Sequence, residues 1–70
     1  MERQSVNSSN IASIGYDANS QTLEVEFKSG RIYQYYNVPL SEYNGLMNAS
    51  SHGQYLNQYI IKGGYSYSEI

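Results

Sequence analysis

The clearest period in the chain lies in TLEVEFK, where Leu23, Val25 and Phe27 alternate with Glu24, Glu26 and Lys28. Successive side chains on a strand point to opposite faces, so this run predicts one buried face and one wet face, with Glu24 and Glu26 as ordinary wet positions. Before it, IASIGYD reads as a strand ending at Asp17, and ANSQ supplies the turn residues between the two. After it, Ser29-Gly30 predicts a tight reversal, because glycine tolerates the positive φ that hairpin turns require. RIYQYYN follows as a third, antiparallel strand. On this strand the same period separates Ile32, Gln34, Tyr36 and Val38 from Arg31, Tyr33, Tyr35 and Asn37. The first set, with its isoleucine and valine, is assigned to the core. The second, with an arginine and two tyrosines, is assigned to the surface.

Val38-Pro39 breaks the strand, since proline has no N–H to give to a ladder and its fixed φ suits the start of a helix. LSEYNGLMNA spaces Leu40, Tyr43 and Leu46 or Met47 at three and four, which predicts an amphipathic helix slightly weakened by Gly45. A second helix is expected in SSHGQYLNQYII. Ser51 with Gln54 three residues later has the spacing of a capping box, Tyr55, Leu56, Tyr59 and Ile60 form an apolar stripe, and Gly63-Gly64 ends it. The polar residues 1–10 are expected to be a flexible segment, partly ordered at best. The YSYSEI end reads either as an edge strand or as disordered chain. The expected fold is therefore α+β: a three-stranded antiparallel β-meander followed by two short α-helices packed on one face, with the domain over residues 11–65 and a tail at 66–70.

Composition narrows the function classes. A chain of 70 residues buries only about 60% of the surface that its unfolded form exposes, so its stability margin is thin. There is no cysteine, which removes disulfides, thiolate metal sites and cysteine nucleophiles together. Nine tyrosines and one phenylalanine must then supply the large rings, and each tyrosine adds a hydroxyl that wants a partner, an inventory suited to interfaces. The formal charge is −2, with only four cations, which fits poorly with a grip on the backbone of a long nucleic acid. No apolar run approaches the roughly 18 residues of a membrane span, and MERQSVNSSN lacks the apolar core of a secretory signal. A cytoplasmic protein without membrane contact is expected.

VNSSNIASIGYD, TLEVEF, SGRIYQY, NVP, Tyr43, Leu46, Ala49 and SSHGQYLNQYI, in that order, closely resemble the KTSC domain, a small family named for its occurrence at the C-terminus of some lysyl-tRNA synthetases. The likeness runs from about Val6 to Tyr65, and Tyr33-Gln34-Tyr35 with Val38-Pro39 stands where the family has its YxY motif and following proline. Two positions depart from the pattern. The family often has phenylalanine where Leu56 stands and a basic residue near Gln54. The resemblance implies no settled activity. It implies a domain found fused to the synthetase and also free-standing in bacteria and phages, for which RNA binding has been suggested from that company.

Catalysis finds little support among the residues. His52 is the only histidine, it lies at a helix start, and no cysteine or fixed carboxylate is placed to orient it, so it reads as a solvated helix-start residue. No clustered His or Asp set suggests a metal, and no cofactor is expected. Binding reads better. Aromatic rings on a strand beside an arginine stack on bases and take phosphate in a two-pronged contact, which assigns Arg31, Tyr33 and Tyr35 to a ligand, with Lys28 adding charge across the turn. Ser50, Ser51, His52 and Gly53 offer unpaired N–H groups at a helix start, either as a modest anion site or as plain capping. The tyrosines equally suit a core or a homo-oligomer interface.

The expected function is a non-enzymatic binding module for a nucleotide-like ligand: a small or cyclic nucleotide, or short single-stranded RNA. In a phage, the family's distribution adds the expectation of sequestering a host signalling nucleotide. The alternative is a protein-interaction or homo-oligomerisation module that uses an exposed tyrosine face.

Overall fold

A computed structural model describes residues 1–70. The sheet has five antiparallel strands in chain order: β1 (Arg3–Ser5), β2 (Ile11–Asp17), β3 (Thr22–Phe27), β4 (Ile32–Tyr35) and β5 (Tyr67–Glu69). The fold is α+β, as the sequence implies, but the three-stranded meander is an undercount. Both additions are edge strands of three residues, one from the polar start of the chain and one from its serine- and tyrosine-rich end. The edge-strand reading of YSYSEI is therefore the one that holds, whereas Arg3–Ser5 is too short and polar to show a period.

The turns follow the sequence. Gly30 takes φ 98° and closes the β3–β4 hairpin through Gly30 N–H to Phe27 O at 2.9 Å. Between β2 and β3, Gln21 takes φ 55° and its carbonyl accepts from Val38 N–H at 2.9 Å, tying this turn to the end of β4. A register shift between Ile11 and Ser13 inserts one extra residue into β2. That bulge lets Ile11 and Ile14, three apart, both reach the core, where strict alternation would send one of them outward.

After β4, α1 (Leu40–Asn48) and α2 (His52–Tyr55) run into a wider helical segment, Leu56–Ile61, whose hydrogen bonds close over five residues, as in Lys62 N–H to Asn57 O at 3.1 Å. The expected regular second helix is thus one α-turn followed by a π-turn. Ser51 caps it, its Oγ accepting from Gln54 N–H at 3.2 Å. Leu46, Leu56 and Ile60 pack against Ile14, Leu23 and Val25 to form the core. Leu40, assigned to the apolar stripe, is instead half exposed at the start of α1. Tyr43 fills the stripe by stacking on Tyr16 of β2, with ring centroids 4.7 Å apart and planes 9° from parallel. Gly45 has a positive purpose: a Cβ there would lie 2.3 Å from the Tyr55 hydroxyl. Its absence lets that ring cross α1 and donate to Glu42 Oε1 at 2.6 Å.

The face of the sheet away from the helices is not simply wet. Arg3, Gly15, Glu24, Gln34 and Ser68 are register partners in a single row across all five strands. Glu24 is 5% exposed, which corrects its assignment as an ordinary solvated position. The Arg3 guanidinium pairs with one carboxylate oxygen of Glu24, and Gln34 Nε2 donates to the other at 2.8 Å. To reach Glu24, Arg3 crosses β2 over Gly15, where an added Cβ would come within 2.7 Å of the Glu2 carbonyl. Burial by itself would push the Glu24 carboxyl up; the hydrogen bonds from Gln34 and Arg3 and the Arg3 charge outweigh it and hold the carboxyl below its ordinary value.

Candidate functional site

The tyrosines of β4 lie on the opposite face from the one assigned to them. Val25 pairs with Tyr33 and Leu23 with Tyr35, and directly opposed residues of an antiparallel pair share a face. Leu23 and Val25 face the core, so Tyr33 and Tyr35 do too. Tyr35 is 4% exposed and Tyr33 half-buried, whereas Gln34 and Tyr36 join the polar face through Tyr36 Oη to Gln34 Oε1 at 3.2 Å. Val38 belongs to the core as expected, but by a different route. Asn37 takes φ 60°, which breaks the alternation and turns Val38 inward. A two-residue turn at Ser29-Gly30 would set Tyr33 opposite Glu26; the hairpin loop instead takes three residues, 28–30, and that one extra residue moves Tyr33 opposite Val25 and onto the core face.

Facing the core does not make these rings wholly interior. The helices cover β2 and β3 more completely than β4 and β5, and an apolar cleft of about 310 Å³ opens there, lined by Phe27, Tyr33, Tyr35, Ile61 and Tyr67. Tyr33 and Tyr35 lie nearly parallel, with centroids 6.4 Å apart and planes at 20°, and Tyr67 leans against both at 6.0 Å. Phe27 meets Tyr33 edge-on at 5.8 Å. Burial, then the neighbouring Tyr33 and Tyr67 phenols, raise the Tyr35 pKa, so its ring stays neutral through the physiological range.

A second hollow of about 470 Å³ adjoins the first. The two share Phe27 and Ile61; the second adds Ser9, Asn10, Ser51, Gly53, Gln54, Leu56 and Asn57. Ile61 can serve both because of the π-turn. In an α-helix a residue five positions on is rotated roughly 140° away, whereas closing the ring over five residues brings Ile61 back toward the side of Leu56. Gly53 and Asn10 meet closely, since a Cβ on residue 53 would stand 2.6 Å from Asn10 Oδ1. The outcome is an aromatic hollow and an uncharged polar hollow side by side, with Phe27 and Ile61 between them.

The family model of the KTSC domain matches residues 7–67. The chain belongs to the KTSC domain family. An uncharacterised protein of Stutzerimonas stutzeri is 41% identical over 70 residues, covering 100% of this chain and 99% of that one. A lysine–tRNA ligase of Trichormus variabilis is 44% identical over 55 residues, which is 79% of this chain but 10% of the ligase. The crystal structure of a KTSC domain protein from Yersinia pestis superposes with a TM-score of 0.89 at 40% identity, covering 99% of this chain and 96% of that one.

In this KTSC domain the YxY motif is a pair of inward rings around an outward amide: Tyr33 and Tyr35 line the cleft, and Gln34 binds Glu24. Arg31, Tyr33 and Tyr35 do share a face, and Arg31 stands at its end, exposed, with Nη1 3.5 Å from Glu69 Oε1. Lys28 is exposed in the hairpin and its backbone N–H donates to Asn10 O at 2.9 Å. Ser51 and Gly53 line the polar hollow. Ser50 does not; it borders a separate shallow depression with Tyr55 and Tyr59. His52 is partly buried, and its Nδ1 lies 2.8 Å from Leu46 O. A carbonyl can only accept, so Nδ1 carries the proton and the ring ties α2 to the end of α1, in place of the solvated role assigned to it. Phe27, Tyr67, Ile61, Asn10, Gln54 and Asn57 were absent from the expected site. Tyr67 depends on β5, the edge-strand reading of YSYSEI, and Ile61 on the π-turn, for which the sequence carries no period.

Proposed function

We propose that this KTSC domain is a non-enzymatic binding module for a nucleotide-like ligand, a small or cyclic nucleotide or a short single strand of RNA, held in the cleft between β4, β5 and the Leu56–Ile61 turn. The observation that carries this reading is the lining of the aromatic hollow: four aromatic rings and one isoleucine. A base stacked on such rings gains roughly 1–3 kcal/mol. Arg31 supports it, because an exposed pair with Glu69 contributes only about 0–1 kcal/mol and leaves the guanidinium able to turn to a phosphate. The lysine–tRNA ligases among the relatives support the RNA-like class of ligand. A formal charge of −2 favours a small ligand over a long polyanion. In a phage-infected cytoplasm such a module would act by sequestering a signalling nucleotide of the host.

Thermal melting against a panel of mono-, di- and cyclic nucleotides and short oligonucleotides tests the reading. Binding raises the melting temperature by an amount that grows with ligand concentration, and Arg31→Ala should reduce the rise for phosphorylated ligands. A melting temperature indifferent to every member of the panel defeats the proposal.

A second reading, a protein-interaction or homo-oligomerisation module, draws on the exposure of Tyr67 (64%), Ile61 (49%) and Ile70 (62%) around the β5 edge. Sedimentation that changes with protein concentration, together with an unresponsive melt, would favour it.

A further inference from the structure

We infer that the polar hollow is a sugar subsite, and that through it this domain distinguishes ribose from 2′-deoxyribose. The inference rests on the binding reading above, which puts the base in the aromatic hollow. The two hollows adjoin across Phe27 and Ile61, so a ligand whose base stacks in the aromatic one and extends past these side chains brings its next group to the polar one. That polar hollow contains hydroxyls, carboxamides, a glycine and the flanks of Phe27, Leu56 and Ile61, and no charged side chain. Phosphate finds no counter-charge there. Vicinal hydroxyls find what they need, because each carboxamide offers both a donor and an acceptor to a group that is itself both.

The capacity is open. The only side chains of this hollow already in hydrogen bonds within the chain are Asn10, bonded to Ser8, and Ser51, which caps Gln54 N–H. The Ser9 hydroxyl and the Gln54 and Asn57 amides remain for a ligand, and Asn57 is solvent-exposed on the π-turn. The close Gly53–Asn10 approach sets how far the Asn10 amide projects. A hydrogen bond from one of these groups to a ligand hydroxyl has a modest net gain over its bond to water, and losing that hydroxyl separates ribo- from deoxyribo-ligands by about three- to tenfold.

Calorimetric titration of the full chain with the four ribonucleoside 5′-monophosphates and their 2′-deoxy counterparts decides the matter. For the base that binds best, the ribo form should bind about three- to tenfold more tightly. Asn57→Ala should bring the two affinities together by weakening the ribo form alone, and Gly53→Ala, which displaces Asn10, should do the same. Equal affinities of ribo and deoxy forms in the unaltered protein overturn the sugar subsite while leaving the base-binding reading in place. Failure of all eight compounds to bind also overturns the sugar subsite, while the base-binding reading is decided by the wider nucleotide and oligonucleotide panel.

Discussion

The two faces of the sheet contradict the rule that apolar faces are covered and polar faces are wet. On the polar face Glu24 is 5% exposed and held by Arg3 and Gln34. On the apolar face, beyond the reach of the helices, Tyr67 is 64% exposed beside a cleft. The polar face is closed because Arg3 from β1, passing over Gly15, and Gln34 from β4 each bind one oxygen of the Glu24 carboxylate, so it can be buried without being orphaned. The apolar face is open because two short helices cannot span five strands. Alternation along a strand separates the faces; what covers each one is decided by elements elsewhere in the chain.

Three substitutions sharpen the contrast. Ile14→Ala removes a fully buried side chain from the helix-covered part of the apolar face and should destabilise by about 2–5 kcal/mol in denaturant unfolding; a loss below about 1 kcal/mol would mean that this part of the core is as loose as the cleft.

Arg3→Ala strikes the polar face and should lose about 2–3 kcal/mol near neutral pH, less than a fully buried pair because the arginine is partly exposed. Here pH adds a signature. The folded Glu24 pKa lies below its ordinary value, so its contribution is complete above the unfolded pKa and is lost as pH falls through the folded one. The variant should show a flatter acid branch, and an unchanged one would argue against the Arg3–Glu24 coupling.

The smallest effect belongs to Tyr55→Phe, about 0.5–1.5 kcal/mol for the lost hydrogen bond to Glu42. The Glu42 hydrogen bond, then burial and the Glu42 charge, push the Tyr55 phenol from 10.0 up to about 12. A raised folded pKa stabilises fully below 10.0 and is lost as pH climbs toward about 12. Alkaline unfolding in that window should therefore be shallower in the variant.

Much of this arrangement was legible in the sequence. The alternation in TLEVEFK, the Gly30 reversal, the Ser51 cap and the Gly63-Gly64 stop all describe local chemistry, and local chemistry decides them. Ranking β4's two sets by hydrophobicity misplaced Tyr33 and Tyr35, because a tyrosine-rich chain spends its rings on the core. The face is set by the hairpin loop, which takes residues 28–30 and is one residue longer than a Ser29-Gly30 turn, so Tyr33 pairs with Val25 and not with Glu26. Glu24 was misjudged for a related reason: its cover comes from Arg3, whose route over Gly15 exists only once β1 joins the sheet. Half of the cleft escaped notice because Tyr67 and Ile61 are positioned by a three-residue edge strand and a widened helical turn.

One pairing in the sheet differs from the rest. β1 through β4 are joined in sequence by turns and short loops, but β4 meets β5 only after the chain has passed through both helices, so the Tyr35–Tyr67 contact closes a loop of about thirty residues. Such a closure is entropically late and the first to be given up. A molecule gripping Tyr67 would act as a clasp on that seam, and amide protection along residues 66–70 would register its arrival before the remainder of the protein changed.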